Sequence, residues 1–196
     1  MNTLKDTLID PLPPVAEFDR AHAHQVFETF ARQDGAQLST LGVEQHLALD
    51  LDAALADDPV SGHRAMAIVE VPRGDEEEDK GYFILGHHHD HGYYLAGPNS
   101  DIEMLDRFQA RYAIDIDKLP IQLGKEAGAE ITIGRSGISF DDGSGESFSV
   151  SESLLESTMN EFGSNTSRKH ATFTVTEEGV VVTNHSRNGL RVVSKK

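Results

Sequence analysis

The 196-residue chain carries 33 Asp and Glu against 17 Lys and Arg, a net charge of −16, with 38% apolar residues, 7% aromatics and neither Trp nor Cys. Such an excess of negative charge repels phosphate backbones and anionic lipid, so general nucleic-acid binding and membrane-surface binding are disfavoured. The absence of Cys removes disulfides, thiol catalysis and Cys-based zinc sites together.

No apolar run approaches the roughly 20 residues that span a bilayer. The N-terminus, MNTLKDTLIDPLPP, lacks the basic start and apolar stretch of a signal peptide, so a cytoplasmic protein is expected. Charge is unevenly spread: residues 1–120 hold 9 basic and 23 acidic side chains, a balance of −14, whereas residues 167–196 hold 6 and 2, a balance of +4. The basic end is where an anionic ligand would be sought.

In chain order, residues 1–14 read as a flexible arm closed by Pro11, Pro13 and Pro14. Ala16 to about Arg32 reads as a helix, with Phe18, Val26, Phe27 and Phe30 largely on one face, ended by Asp34-Gly35. A second helix is expected over about Thr40 to Ala56, although its Leu-x-Leu-x-Leu stretch fits the helical period poorly. Ala65 to Val71 alternates like a strand and leads into the acidic turn Gly74 to Asp79. Tyr82–Leu85 and Tyr93–Ala96 flank a His-rich segment, as the arms of a long hairpin would. A further helix is expected from Ser100-Asp101 to about Tyr112. Residues 15–117 therefore read as a small α+β domain.

From Leu119 the pattern changes to short β-branched runs separated by Gly and Asp turns: LPIQL, EITIG, GISF, ATFTV, GVVVT and LRVV. This is the pattern of an all-β antiparallel sandwich over residues 119–196. Three blocks within it carry chemistry: ITIGRS at Ile131–Ser136, TSRKHATF at Thr166–Phe173, and TNHSRNGLRV at Thr183–Val192. A phosphorylated side chain offers about −1.5 to −2 charges and three acceptor oxygens. Arg135 is the planar, permanently charged donor suited to it, and Ser167 adds a hydroxyl within a tight turn.

In order and spacing the three blocks resemble the forkhead-associated domain family, in which a strand ending in Gly-Arg is followed by Ser-x-x-His and then Ser-x-Asn-Gly. The resemblance covers about the last two-fifths of the chain. It implies a phosphothreonine-binding, non-enzymatic module in which Arg135 and Ser167 hold the phosphate. Arg168 and Arg187 would contact the phosphate or peptide, and Asn188 the peptide backbone. His170 would tie the loops together, and Gly134 and Gly189 would permit the turns. The implied partner is a phosphothreonine-containing protein or peptide; no cofactor, nucleic acid or membrane is implied, and the oligomeric state is left open. A second binding reading is a phosphate-independent scaffold of the same fold in a secretion or other assembly.

Two features depart from the family pattern. An insertion over 143–165, rich in Ser and acidic residues, precedes the second block and suggests a short helix around Ser151 to Phe162. The chain also stops soon after LRVV, so the sandwich is short, or the N-terminal part completes its edge, or the chain is a fragment or pairs with a partner.

The segment GHHHDHG at Gly86–Gly92 would place His87, His89 and His91 on one strand face and His88 and Asp90 on the other. Imidazoles suit zinc, nickel or copper, and a metal-dependent hydrolase is the enzyme-class alternative. The spacing matches no established ligand motif, however, and no tightly held metal is expected there. Nucleophile elbows, Walker loops and dinucleotide fingerprints are absent from the sequence.

Overall fold

The computed structural model describes residues 20–58, 62–74, 79–96, 121–135, 137–141, 147–148 and 163–195. Among the described residues a helix, α1 (Arg20–Ala31), precedes the strands. Ala23, Val26, Phe27 and Phe30 recur at helical spacing and are all buried, so the face expected from the sequence is the docking face. Arg32 and Gln33 close the helix with bonds to the carbonyls three residues back, and Gly35 reverses the chain at φ +80°.

Strands β1 (Ala36–Leu41), β2 (His46–Asp50) and β3 (Ala56–Asp58) follow, where a helix was expected over Thr40–Ala56. Apolar residues at 47, 49 and 51 have period two. In β2 Leu49 is buried while His46, Ala48 and Asp50 are exposed, as an edge strand with one wet face requires. The strand around Ala65–Val71 is β4 (His63–Pro72), and the expected hairpin is β5 (Lys80–His88) with β6 (Gly92–Ala96). The later strands are β7 (Ile121–Gly124), β8 (Glu130–Gly134), β9 (Gly137–Asp141) and β10 (Ser147–Phe148). They are followed by β11 (Ala171–Val175), β12 (Gly179–Asn184) and β13 (Leu190–Lys195).

These strands form two antiparallel sheets. The first has the order β1-β13-β4-β5-β6-β7, with β3 also paired to β4; the second has the order β10-β9-β8-β11-β12-β2. Strands from both sides of residues 117–119 therefore share each sheet. In the first, β13 lies between β1 (Leu41 opposite Leu190) and β4 (Val69 opposite Val192). In the second, β2 flanks β12, with Ala48 opposite Val181. The expected division into residues 15–117 and 119–196 is thus not a division between sheets: the N-terminal strands supply the neighbours that β12 and β13 need. The arm 1–14, Phe18, the helix from Ser100 and the short helix at 151–162 lie outside the described residues.

One apolar core fills the space between the sheets, with Phe83, Leu85, Leu95 and Val192 from the first facing Ile131, Ile133, Phe173 and Val182 of the second. Helix α1 covers the outer face of the first sheet, where Phe27 and Phe30 meet Ile68, Tyr82, Ile84 and Val193. Strand β4 is consequently buried on both faces. A bulge between Ala65 and Ala67 in its pairing with β5 lets the consecutive residues Met66 and Ala67 both join the inter-sheet core.

Beneath α1, the buried Glu70 carboxylate accepts from the Tyr82 hydroxyl at 2.9 Å. Tyr82 in turn accepts from His24 Nδ1 at 2.6 Å, since its own proton is committed to Glu70. Arg191 of β13 donates to Glu28 at 3.0 Å, and its Nε lies 3.4 Å from Glu70, within ion-pair range though outside hydrogen-bond geometry. Burial, reinforced by the Glu70 charge, pushes the Tyr82 hydroxyl pKa well up, so it stays a donor.

Because β13 has neighbours only from the N-terminal half, a fragment of residues 119–196 should lack a cooperative thermal transition under conditions where the full chain melts sharply. Circular dichroism melts of the two decide it; a fragment with native-like strand signal and a sharp transition would show that the later strands are self-sufficient.

Candidate functional site

The three motif blocks meet at one end of the sandwich, at the end of β8, before β11 and between β12 and β13. Gly134 ends β8 against the backbone of Ser167 and Arg168, where a Cβ would collide with the Arg168 carbonyl oxygen. Only glycine allows this approach. Next to it, the Arg135 amide donates to the Ser167 carbonyl at 2.9 Å and the His170 amide donates to the Ile133 carbonyl at 2.9 Å. The first and second blocks are therefore joined through backbone, independently of side-chain rotamers.

His170 joins the second block to the third. It is fully buried; its Nδ1 accepts from the Ser167 amide at 3.0 Å, and its Nε2–H therefore donates to the Gly189 carbonyl at 2.7 Å. Gly189 sits at φ +83°. The Ser167 and Ser186 hydroxyls are 2.6 Å apart, and Ser186 Oγ also accepts from the Asn188 amide at 3.0 Å. Asn188 donates from Nδ2 to the Asn165 carbonyl at 2.7 Å.

A second layer supports the first. Thr166 donates its hydroxyl proton to the Pro72 carbonyl at 2.7 Å, anchoring the second block to β4 of the other sheet. Asn184, fully buried, donates from Nδ2 to the carbonyls of Leu41 and Ser186, both at 2.9 Å, and accepts from the Ser186 amide at 3.0 Å. His185 bridges Thr172 at 2.8 Å and Glu44 at 3.0 Å. Sequence reasoning singled out none of Thr166, Asn184, His185 and Ser186 as supports, although all four lie inside the quoted blocks. Their partners Pro72, Leu41 and Glu44 are remote in sequence, so only the polar residues next to each motif could have pointed to them.

Arg135, Arg168, Lys169, Arg187 and Asn188 are all exposed, and Ser167 is half-buried. The arrangement thus presents four cationic side chains on three turns whose backbones are fixed by a buried imidazole. Such a surface suits an anion carrying several acceptor oxygens.

The His-rich segment lies at the opposite end of the sheets, and the expected grouping of its side chains is corrected. Strand β5 ends at His88 and residues 89–91 form the turn, so alternation stops before His89. His87 lies on the inter-sheet side, 4.8 Å from the Tyr93 ring. Burial and then the nearby Arg64 charge lower its pKa. His88 lies on the other side, next to His89 at 4.6 Å, His91 at 5.0 Å and His63 at 4.8 Å between ring centroids. His88 and His63 had not been grouped with His89 and His91, since the first falls on the far strand face in a simple alternation and the second is remote in sequence.

Burial lowers the His170 pKa, opposed by the bond to Gly189, with His185 adding a small further depression. The unfolded chain therefore takes up a proton here near pH 6.5 while the folded chain resists it. The contribution of this group to stability is complete above about pH 6.5 and falls as the pH drops below it, by at most about 1.4 kcal/mol per pH unit. Urea unfolding between pH 7.5 and 5.5 should show a steeper loss in the wild type than in His170→Ala. That variant should itself be less stable by about 2–4 kcal/mol, having lost two buried hydrogen bonds and left a cavity. Identical pH slopes would remove His170 from this role.

No protein-family model matches the chain, no curated protein matches its sequence and no solved structure matches its fold.

Proposed function

We propose that this protein is a phosphothreonine-dependent protein-binding module of the forkhead-associated type, non-enzymatic and acting as an adaptor. The observation that carries the reading is the joining of Gly134-Arg135, Ser167–His170 and Ser186–Gly189 into one surface through backbone bonds and the buried His170. In this reading Arg135 and Ser167 hold the phosphate, with Arg168 and Arg187 adding positive charge. Asn188 reads the peptide backbone, and the family resemblance implies a preference for threonine through its methyl group, which phosphoserine lacks.

A second reading within the binding class rests on a specific observation. Asn188 Nδ2 bonds to Asn165 and the Ser167 hydroxyl to Ser186, so both groups are engaged inside the protein. A ligand has to displace or share these contacts, whereas a phosphate-independent scaffold keeps them.

The two readings differ in phosphate dependence. A phosphothreonine peptide should bind more tightly than the same peptide carrying phosphoserine, aspartate or plain threonine. Charge-assisted hydrogen bonds contribute about 1.5–3 kcal/mol each, so Arg135→Ala should weaken binding roughly tenfold or more. Ser167→Ala should cost less, and added salt should lower the affinity. Calorimetric titration of wild type and Arg135→Ala with one phosphopeptide from a library screen is the measurement. Equal affinity for the phosphorylated and plain peptides would leave the scaffold reading.

A further inference from the structure

At the end of the sandwich away from the motif blocks, we propose that the tip of the β5–β6 hairpin is a transition-metal site of zinc type, with His88, His89 and Asp90 as ligands and His91 adjacent for the remaining position. The inference does not depend on phosphopeptide binding. It departs from the expectation, drawn from the sequence, that no tightly held metal binds this segment, and it replaces the grouping of His87, His89 and His91 with the set the fold assembles.

The geometry comes first. Ligand atoms of His88, His89 and Asp90 all lie within 4.8 Å of one another. His89 Nε2 and Asp90 Oδ2 are 3.1 Å apart. Two ligands about 2.0–2.1 Å from a tetrahedral zinc ion are about 3.3 Å apart. This pair, an ion pair without a metal, stands close to the separation that a shared metal requires. His88 Nδ1 faces the tip and accepts from the Asp90 amide at a long 3.2 Å, a bond that a metal at this nitrogen would replace.

Supporting contacts orient the ligands. The His89 ring lies directly over Gly62, where a Cβ would collide with it, and the His89 amide donates to the Gly62 carbonyl at 3.1 Å. Gly62 adopts φ +78°, a backbone conformation that favours glycine. Behind His88 the fully buried His63 meets it edge-on, and His63 Nδ1 is 3.0 Å from the Tyr94 hydroxyl. This edge contact packs the His88 ring from behind. An open cleft lined by Leu51, Asp57, Gly62, Arg64, His87 and His89 gives access to the His89 ring.

The turn alone does not account for these residues. Gly92, at φ +84°, supplies the left-handed backbone that reverses the chain, and nothing in a hairpin tip calls for three imidazoles and a carboxylate. The mixture of imidazole and carboxylate oxygen selects zinc, nickel or copper over calcium or magnesium. The other cluster of potential ligands, His24, Glu28 and Glu70, is different in kind, because Arg191 and Tyr82 already hold its carboxylates.

The test uses the full, untagged chain dialysed against a chelator and titrated with zinc chloride by calorimetry, with cobalt(II) absorption as a second readout of tetrahedral geometry. One zinc per chain should bind saturably. His88→Ala and Asp90→Asn should each weaken binding at least tenfold, the second without risk to the fold because Asp90 is exposed. His87→Ala, whose ring packs on Tyr93 and is not among the proposed ligands although it lines the same cleft, should bind as the wild type does. An absence of saturable binding overturns the proposal. So does a loss in His87→Ala equal to that in Asp90→Asn, which would mark an unstructured histidine tract.

Discussion

Strand β13 has to find hydrogen-bond partners on both sides, and the rest of the fold depends on how it does so. A buried strand with unpaired amides and carbonyls is too costly to persist. The chain meets the requirement with β1 on one side and β4 on the other, both from its first half. That choice interleaves the two halves of the sequence, buries β4 on both faces and gives α1 a sheet to cover. Arg191, on β13, then reaches both Glu28 of the helix and Glu70 of β4, so one cation ties three elements together. Breaking such a partly buried arrangement by removing one partner generally costs more than the arrangement contributes, because the remaining charge is stranded.

The motif end inherits its rigidity from the same interleaving. Asn184 holds the carbonyl of Leu41 at the end of β1, and Thr166 holds that of Pro72 at the end of β4. The loops that present Arg135, Arg168 and Arg187 are consequently fixed from beneath by the N-terminal half, and His170 fixes them to one another. Backbone-locked turns lose little backbone freedom when an anion arrives, so the ordering cost falls on the exposed side chains alone. The contacts already made by Ser167 and Asn188 act in the opposite direction, since a ligand has to compete with them.

The sequence made some of this legible and hid the rest for identifiable reasons. Helix α1 was readable because Ala23, Val26, Phe27 and Phe30 hold helical spacing, and strands β8, β11 and β12 because Ile and Val alternate between short turns. The β1–β3 region was misread as helix because Leu at 47, 49, 51 and 55 can be fitted to a helical stripe if the period-two spacing of the first three is discounted. The apparent boundary near residue 118 came from a shift in charge and composition, which is a property of the chain and not of its pairing. The motif order suggested which residues share an end, yet it could not show that Asn188 and Ser167 are engaged internally. The histidine faces failed for a simpler reason: alternation holds only while the strand lasts, and it stops at His88.

The pairing of β13 also fixes an order of events during synthesis. Of the described strands, β13 is the last to be made, while its neighbours β1 and β4 are among the first. Until the ribosome has added Leu190–Lys195, the edges of β1 and β4 that will receive it stay unpaired, exposing apolar residues such as Leu41 and Val69 beside open backbone. Topologies dominated by such distant pairings fold slowly, and unpaired edges held open during that interval are where chains associate with one another. Until β13 is in place the first sheet is therefore two edges rather than one continuous layer, and the last described strand is the piece that joins them.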